Sequence, residues 1–240
     1  INVPLPPQTS EDGFLYAIKE VVLPILQDFK PDIIINSAGQ DNHYTDPITN
    51  MNFSAQGYAE LTALLKPDIA VLEGGYSIEG ALPYVNVGIV LAMAGLDYSY
   101  VKEPDYDPVK IRQSPDVSDS IRQVGDTILS YWQQRKNIQE QIQSKGEIFE
   151  RRREIFYDTD GIVETQTEQV KACPECGGVW QIDSSSDRGQ HVLAVHIPVS
   201  ACESCQNLGY RWYDKAETQR FDFIFLQDRN TDDYHDQSKT

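Results

Sequence analysis

A short pattern that occurs twice in the first hundred residues restricts the fold of this chain: a helical stretch, the breaker Lys-Pro-Asp and then an apolar run. The breakers are residues 30–32 and 66–68, and the runs that follow them are 33–35 and 69–72. Neither run alternates with polar residues, which is typical of strands buried on both faces. Strands that alternate with helices in this way predict an α/β fold, a parallel sheet with flanking helices.

Apolar residues at helical spacing predict the helices of this fold. The first helix spans 14–29, with Ser10 as its N-cap. Two more helices are predicted over 54–65 and around 83–94. A connector rich in Pro, Asp and Tyr follows over 98–115, and we expect it to lie on the surface.

A long amphipathic helix is predicted next, over 117–156. We expect it to pack on the first domain and not to form a partner-binding coiled coil, because its heptads are not sustained. After Gly161 the chain becomes rich in β-branched and aromatic residues, which predicts strands. These strands are 163–170, 179–182, 192–199 and 210–226.

The predicted organisation therefore has four parts. They are an α/β domain over 1–100, a helical connector over 101–161, a small β-rich domain over 162–228 and a polar tail over 229–240 that we expect to fray.

Four cysteines stand as two Cys-x-x-Cys pairs, Cys173/Cys176 and Cys202/Cys205, with 25 residues between the pairs. Four thiolates at this spacing can enclose Zn²⁺ in a tetrahedron between two hairpins, which predicts a zinc ribbon. The alternatives are four buried free thiols or a redox pair. A closed site of four cysteines has no open coordination position, so we expect this zinc to be structural.

The charge of the chain narrows the range of its partners. With 20 Lys+Arg and 37 Asp+Glu residues, the net charge of −17 repels phosphate groups, so nucleic acids and anionic membranes are unfavourable partners. No apolar run reaches the roughly 18 residues of a membrane span. Cysteine pairs without secretory features indicate reduced thiols and a cytoplasmic location. Because no leader sequence precedes Ile1, we expect the chain to be a fragment of a longer protein.

Two loops at the ends of the predicted strands carry side chains suited to chemistry. The first loop brings Asp41, His43 and Asp46 within six residues, and the second brings Tyr76 after two glycines. Each loop alone could be a simple turn, an Asx-turn in the first case and a Gly-Gly turn in the second. Functional groups of α/β sheets collect at the carboxyl ends of strands, so the two loops together predict a site.

Four ordered motifs lie in residues 1–97: Asn2-Val3-Pro4-Leu5-Pro6, Ser37-Ala38-Gly39-Gln40-Asp41-Asn42-His43 with Asp46-Pro47, Gly57-Tyr58, and Leu72-Glu73-Gly74-Gly75-Tyr76. With these motifs the chain resembles the carboxyl-terminal half of the histone deacetylase superfamily, which includes acetylpolyamine amidohydrolases and acetoin-utilisation proteins. The resemblance implies an arginase/deacetylase-like α/β fold, truncated at its amino-terminal side. It also implies zinc-dependent deacetylase activity.

The resemblance further implies roles for individual residues. The Asp of the family's Ala-Gly-x-Asp motif is a zinc ligand, which places a catalytic zinc on Asp41. The Tyr of its Gly-Gly-Tyr motif hydrogen-bonds the scissile carbonyl, which assigns that role to Tyr76. Gly74 and Gly75 are implied to line the substrate channel. His43 and Asp46 are expected to support the site without binding zinc. The alternative is that His43 is a zinc ligand, because Asp41-Asn42-His43 has the Asp-x-His spacing of the family's other two zinc ligands, although those lie earlier in the family's chain.

These 240 residues lack the earlier Asp-x-His motif and the His-His pair of the family. The catalytic zinc site and its general base are therefore predicted to be incomplete, and the chain alone to be inactive without the missing amino-terminal half of the same domain. The leading hypothesis is a deacetylase with one catalytic and one structural zinc, acting on an acylated protein or an acetylpolyamine. The alternatives are a catalytically inactive deacetylase-like binding module with a zinc-ribbon adaptor, and an arginase-like ureohydrolase, whose Asp-rich metal motifs are absent from the sequence.

Overall fold

The computed structural model describes residues 1–145 and 147–238 of the chain. It contains two compact units, Ile1–Gln134 and Arg135–Thr240. None of the helices in the described ranges is both long and apolar enough to cross a membrane. The first unit extends beyond the predicted boundary at residue 100, because the segment that follows contributes buried side chains such as Val101 and Ile111.

The first unit opens with a helix that is interrupted by a wider turn. α1 spans Glu11–Ala17, a π-helical turn spans Ile18–Val22, and α2 spans Leu23–Phe29. The helix therefore begins before the predicted start at residue 14, and the prediction did not include the π-helical turn. Ser10 occupies the N-cap position, but its hydroxyl donates to Gln113 Oε1 over 3.1 Å and caps no helical N–H.

The two Lys-Pro-Asp breakers end their helices in the same way. Lys30 follows α2, and Lys66 follows α3, which spans Ala55–Leu65. Both lysines adopt the left-handed conformation, with φ of 54° and 47°, and the proline after each cannot continue a helix. At the other end of α3, Ser54 accepts the N–H of Gly57 over 3.0 Å, so this helix starts where the sequence predicts.

The strands that follow the breakers pair in parallel. β1 spans Ile35–Ala38 and β2 spans Ile69–Leu72, with Ile35 opposite Ile69. β2 has its predicted bounds, whereas β1 begins two residues later than predicted. The predicted burial on both faces is wrong for this chain, since Ile35 is 60% exposed and Ile69 is 49% exposed. The described residues add no further strand to this sheet, so much of its apolar surface is uncovered.

α4 spans Leu82–Met93, close to the predicted third helix, and it packs against α3. Its Gly88 allows the close approach, because a Cβ there would lie 3.1 Å from the Cβ of Ala59 on α3. The buried core of this unit is formed by Leu15, Ile18, Ala38, Phe53, Ala55, Tyr58, Leu61, Ala81, Val85, Ile89 and Val101.

α5 spans Pro115–Lys145. Within the first unit its apolar stripe lies on α1 and α2: Ile121 is 2% exposed and comes close to Gly13, and Trp132 Nε1 donates to Asp28 Oδ2 over 2.8 Å. These contacts agree with the packing expected for the long helix.

The predicted continuation of this helix to residue 156 is wrong. β3 spans Ile148–Tyr157 and pairs antiparallel with β4, Ile162–Lys171. The charges that resembled the end of a helix are cross-strand partners instead, because Arg151 and Arg153 both contact Glu168. Such pairs across neighbouring strands stabilise a sheet.

The described residues of the second unit form a six-stranded sheet in the order β3-β4-β5-β6-β7-β8. β6 and β7 are parallel and are connected through α6, Glu203–Asp214, whereas all the other neighbours are antiparallel. The remaining strands are β5 at Val179–Ser186, β6 at His191–Ile197, β7 at Phe223–Asp228 and β8 at Asp233–Ser238.

This architecture corrects the prediction of a two-hairpin zinc ribbon. Residues 210–214 belong to α6 and not to a strand, because the buried Cys205, Gly209 and Tyr213 recur every four residues on one side of the helix. Residues 233–238 form β8, where a frayed tail was expected, since β7 offers them an antiparallel partner.

Candidate functional site

Two loops leave the carboxyl ends of β1 and β2 and contact each other. Ser37 Oγ donates to Glu73 Oε1 over 2.9 Å, and the main-chain N–H of Gln40 donates to the carbonyl oxygen of Gly74 over 2.5 Å. The parallel pairing brings both strand ends to one edge of the sheet. The structure therefore brings together the two loops that the sequence predicts to form a site.

Asp46 connects the first loop to Tyr76. Its Oδ2 accepts the main-chain N–H of Tyr76 over 2.8 Å, and its Oδ1 accepts those of Ile48 and Thr49 over 2.9 Å and 3.4 Å. Asp46 is 8% exposed. Both oxygens of the Asp46 carboxylate therefore accept main-chain N–H groups, and together they link the two loops.

Tyr76 presents its side chain at the surface, where it is 51% exposed. The phenol lies over Gly74, since a Cβ at that position would be 3.2 Å from Tyr76 Oη. A Cβ at Gly75 would be only 2.7 Å from the Cβ of Gln40. Gln40 cannot readily yield, because it is 2% exposed and its Nε2 donates to Asn86 Oδ1 over 2.6 Å. The close approach of the two loops therefore requires glycine at position 75.

His43 is fully buried, and its partner Glu103 is a residue that the sequence analysis did not select. His43 Nε2 lies 3.1 Å from Oε1 of Glu103, which is 3% exposed and also accepts the N–H of Ala55 over 3.4 Å. Burial raises the pKa of the Glu103 carboxyl, but the hydrogen bonds from His43 and Ala55 outweigh burial and hold the pKa below its usual value. Glu103 lies in the Pro-rich connector, and no local pattern marks it as a buried residue.

Asp41 lies at the start of the first loop and is partly exposed. Its main-chain oxygen accepts the Thr49 hydroxyl, and within the described residues its carboxylate receives no hydrogen bond. A carboxylate that is free of donors can bind a cation. In the part of the chain that the structure describes, however, the group of three or more side chains close enough to share an ion is the four cysteines, and Asp41 belongs to no such group.

The four cysteines converge in the second unit. Cys173 and Cys176 lie between β4 and β5, Cys202 is the N-cap of α6, and Cys205 lies in the first turn of that helix. All four are free thiols whose sulfur atoms lie within 4.8 Å of one another, with Cys173 Sγ 3.8 Å from Cys202 Sγ. Sulfur atoms about 2.3 Å from a tetrahedral zinc lie about 3.8 Å apart. The cluster therefore has the size of a zinc site.

The surroundings of the cluster favour a thiolate at Cys176. Burial opposes its ionisation, but hydrogen bonds, first those from the N–H groups of Cys202 and Gly178, outweigh burial and lower the pKa of Cys176 to about 7, whereas the pKa values of Cys202 and Cys205 are raised. The Gly178 N–H donates to Cys176 Sγ over 3.3 Å. Since the thiolate is the form that binds metal, these donors suit a metal ligand.

Comparisons with known proteins identify relatives of the first unit. The histone deacetylase domain family matches residues 1–87. A probable deacetylase of Archaeoglobus fulgidus is 50% identical over 114 residues, which cover 44% of this chain and 32% of that protein. A histone deacetylase-like amidohydrolase of Pseudomonas aeruginosa is 29% identical over 122 residues, which cover 47% of this chain and 32% of that protein.

A solved structure, that of the HDA15 HD domain, has a TM-score of 0.45 and 24% identity over 55% of this chain and 36% of its own. In the relatives from Archaeoglobus fulgidus and Pseudomonas aeruginosa, the matched region spans about a third of the protein's length.

Proposed function

We propose that this chain, whose residues 1–87 belong to the histone deacetylase domain family, carries the carboxyl-terminal part of a zinc-dependent deacetylase. The proposed reaction is hydrolysis of the amide bond of an acetyl-lysine side chain or an acetylated polyamine. The observation that supports it is the placement of Tyr76 and Asp41 on two touching loops at the ends of adjacent parallel strands.

The residues of these loops suit the chemistry of amide hydrolysis. The reaction passes through a tetrahedral oxyanion, which a hydroxyl donor aimed at the oxygen stabilises. The exposed phenol of Tyr76 is the proposed donor, and Asp41 is the proposed zinc ligand. A bound zinc ion would lower the pKa of water and polarise the substrate carbonyl. Gly74 and Gly75 are proposed to leave room for the acylated arm of the substrate.

A catalytic zinc site uses three protein ligands, of which the described residues offer Asp41. We propose that further residues of the same domain supply the other ligands and the general base, and that they pack on the β1–β2 sheet. The apolar surface of this sheet supports the proposal, since Ile35, Val71 and Leu72 are 60%, 45% and 54% exposed. The 240 residues alone are then expected to be inactive.

The test compares variants of the full-length protein. Tyr76→Phe should lower turnover of an acetyl-lysine peptide or of N-acetylputrescine by about 10²-fold, because it removes one oxyanion donor and leaves the fold intact. Tyr100→Phe, which changes another exposed tyrosine of the same unit, is the matched control and should keep the wild-type rate. An unchanged rate for Tyr76→Phe on both substrates would contradict the assignment. A wild-type protein without turnover on either would contradict the proposed function.

We also propose that the cysteine cluster binds one structural zinc ion in a reducing, cytoplasmic environment. The 3.8 Å sulfur separation and the free thiols support this proposal. Native mass spectrometry of the full-length protein should show two zinc ions, of which Cys176→Ser loses one and Ser204→Ala, a control between Cys202 and Cys205, loses none. Retention of both zinc ions in Cys176→Ser, or cysteines isolated as disulfides, would show that the assignment is wrong.

A further inference from the structure

A chain of hydrogen bonds leads from a buried carboxylate to the loop that carries Tyr76. Glu103 Oε1 lies 3.1 Å from His43 Nε2, and His43 Nδ1 lies 2.9 Å from Thr45 Oγ1. Thr45 Oγ1 in turn lies 2.6 Å from Oγ of Ser77, the residue directly after Tyr76. The chain therefore connects three separate segments of the first unit.

The hydrogen bonds of His43 assign a direction to this chain. The main-chain N–H of Thr45 donates to His43 Nδ1 over 3.2 Å, so Nδ1 is an acceptor and the ring proton is on Nε2, where it faces Glu103. The Thr45 hydroxyl can then donate to Nδ1 and accept from the Ser77 hydroxyl. Hydrogen bonds that run in one direction strengthen one another.

The two ends of this chain differ in their surroundings. His43 and Glu103 are 0% and 3% exposed, and the ring of Tyr44 stacks on His43 at 4.5 Å, so the inner end is held from several sides. Thr45 is exposed and Ser77 is partly exposed. The hydroxyl of Thr45 is therefore the group that links the buried His43–Glu103 pair to the loop that carries Tyr76 and Ser77.

We infer that Thr45 is a positioning residue for Tyr76. Its hydroxyl connects the buried His43–Glu103 pair to Ser77 and so fixes the main chain from which the Tyr76 phenol projects. The inference rests on the proposed function, in which this phenol stabilises the oxyanion. A residue that only orients such a donor acts on the transition state more than on substrate binding, so its removal lowers kcat with little change in KM.

The test uses two variants of Thr45 in the full-length protein. Thr45→Val has nearly the same shape but no hydroxyl, and we expect it to lower kcat by about 3- to 10-fold, which is the effect of one hydrogen bond. KM should stay within about twofold, and Thr45→Ser, which restores the hydroxyl, should recover most of kcat. Because Thr45 is exposed, both variants should fold, as thermal unfolding can verify. An unchanged kcat in Thr45→Val, a loss confined to KM, or a Thr45→Ser variant as slow as Thr45→Val would overturn the inference.

A double mutant separates this inference from the proposed function. If Thr45 acts through the phenol, Thr45→Val should have no further effect on kcat in a Tyr76→Phe background. Equal losses in the two backgrounds would show that Thr45 acts elsewhere, while the role of Tyr76 would stand. If Tyr76→Phe itself keeps the full rate, the proposed role of Tyr76 fails, and the inference fails with it.

Discussion

Replacement of Glu103 by alanine should destabilise the first unit far more than replacement by glutamine. Alanine leaves the Nε2–H of the fully buried His43 without an acceptor and also removes the acceptor of the Ala55 N–H. Leaving a buried donor without an acceptor costs about 1–3 kcal/mol, and this variant leaves two such donors. Glutamine keeps an oxygen at the Oε1 position, and among the described residues Glu103 Oε2 has no hydrogen-bond partner that an amide group would lose. Its cost, which combines the loss of charge with an unpartnered amide group at the Oε2 position, is smaller, about 1 kcal/mol.

Urea unfolding can resolve this difference within the first unit. Of the three tryptophans in the sequence, Trp132 lies in the first unit, and Trp180 and Trp212 lie in the second unit. With both of those replaced by phenylalanine, fluorescence reports on the first unit. For a slope of about 2 kcal/mol/M, Glu103→Ala should lower the unfolding midpoint by about 2 M and Glu103→Gln by about 0.5 M.

A surface ion pair provides the control for these variants. The exposed pair of Lys19 and Glu60 should contribute little, so Glu60→Gln should shift the midpoint by no more than Glu103→Gln does. Equal midpoints for Glu103→Ala and Glu103→Gln would refute the reasoning, because they would mean that the His43 N–H needs no acceptor.

The same carboxylate predicts a pH dependence. The pKa of folded Glu103 is below its usual value of 4.5, so its contribution to stability is complete above pH 4.5 and is lost as the pH falls through the folded pKa. The stability difference between the wild type and Glu103→Gln should therefore shrink between pH 6 and pH 3. A difference that stays constant over this range would show that Glu103 does not ionise in the folded unit.

Two further substitutions test other parts of the structure. Asp46→Asn should lower the stability of the first unit by about 1–2 kcal/mol, because an amide NH₂ cannot accept the N–H of Tyr76. It should also lower kcat. Urea midpoints measure the first effect and steady-state kinetics the second. Gly209→Ala should destabilise the second unit by about 1–3 kcal/mol, because the added Cβ would lie 2.5 Å from Ile197 Cγ1. The control is Gly177→Ala, whose added Cβ would have its nearest contact at 3.7 Å. Thermal unfolding should show a smaller effect for this control.

The local patterns of the sequence predicted those parts of the fold that depend on neighbouring residues. Lys30 and Lys66 end helices because a proline follows each, and Ser54 starts one because its side chain caps the helix. The pairing of β1 with β2 followed from the repeated strand and helix pattern. That pairing was enough to select Asp41 and Tyr76 as members of one site, although their chemical roles stay predictions.

The errors arose where a distant partner decides the structure. The polar, proline-rich sequence around Glu103 predicts a surface connector, but a histidine 60 positions earlier gives the carboxylate a buried partner. The run from Glu147 to Glu154 has charges that suit a helix as well as a strand edge, and pairing with β4 selects the strand. The aromatic residues of 210–213 have strand propensity, yet the spacing of Cys205, Gly209 and Tyr213 suits a helix on the sheet.

The contacts that complete the first unit also have a consequence for the order of its folding. Ser10 meets Gln113 across 103 positions of sequence, and His43 meets Glu103 across 60. Closing such long loops costs entropy before the contacts form, so they form late. During synthesis on the ribosome, the loop that holds Asp41 and His43 emerges well before its partner Glu103. The site therefore reaches its final arrangement only after the connector has left the ribosome and docked.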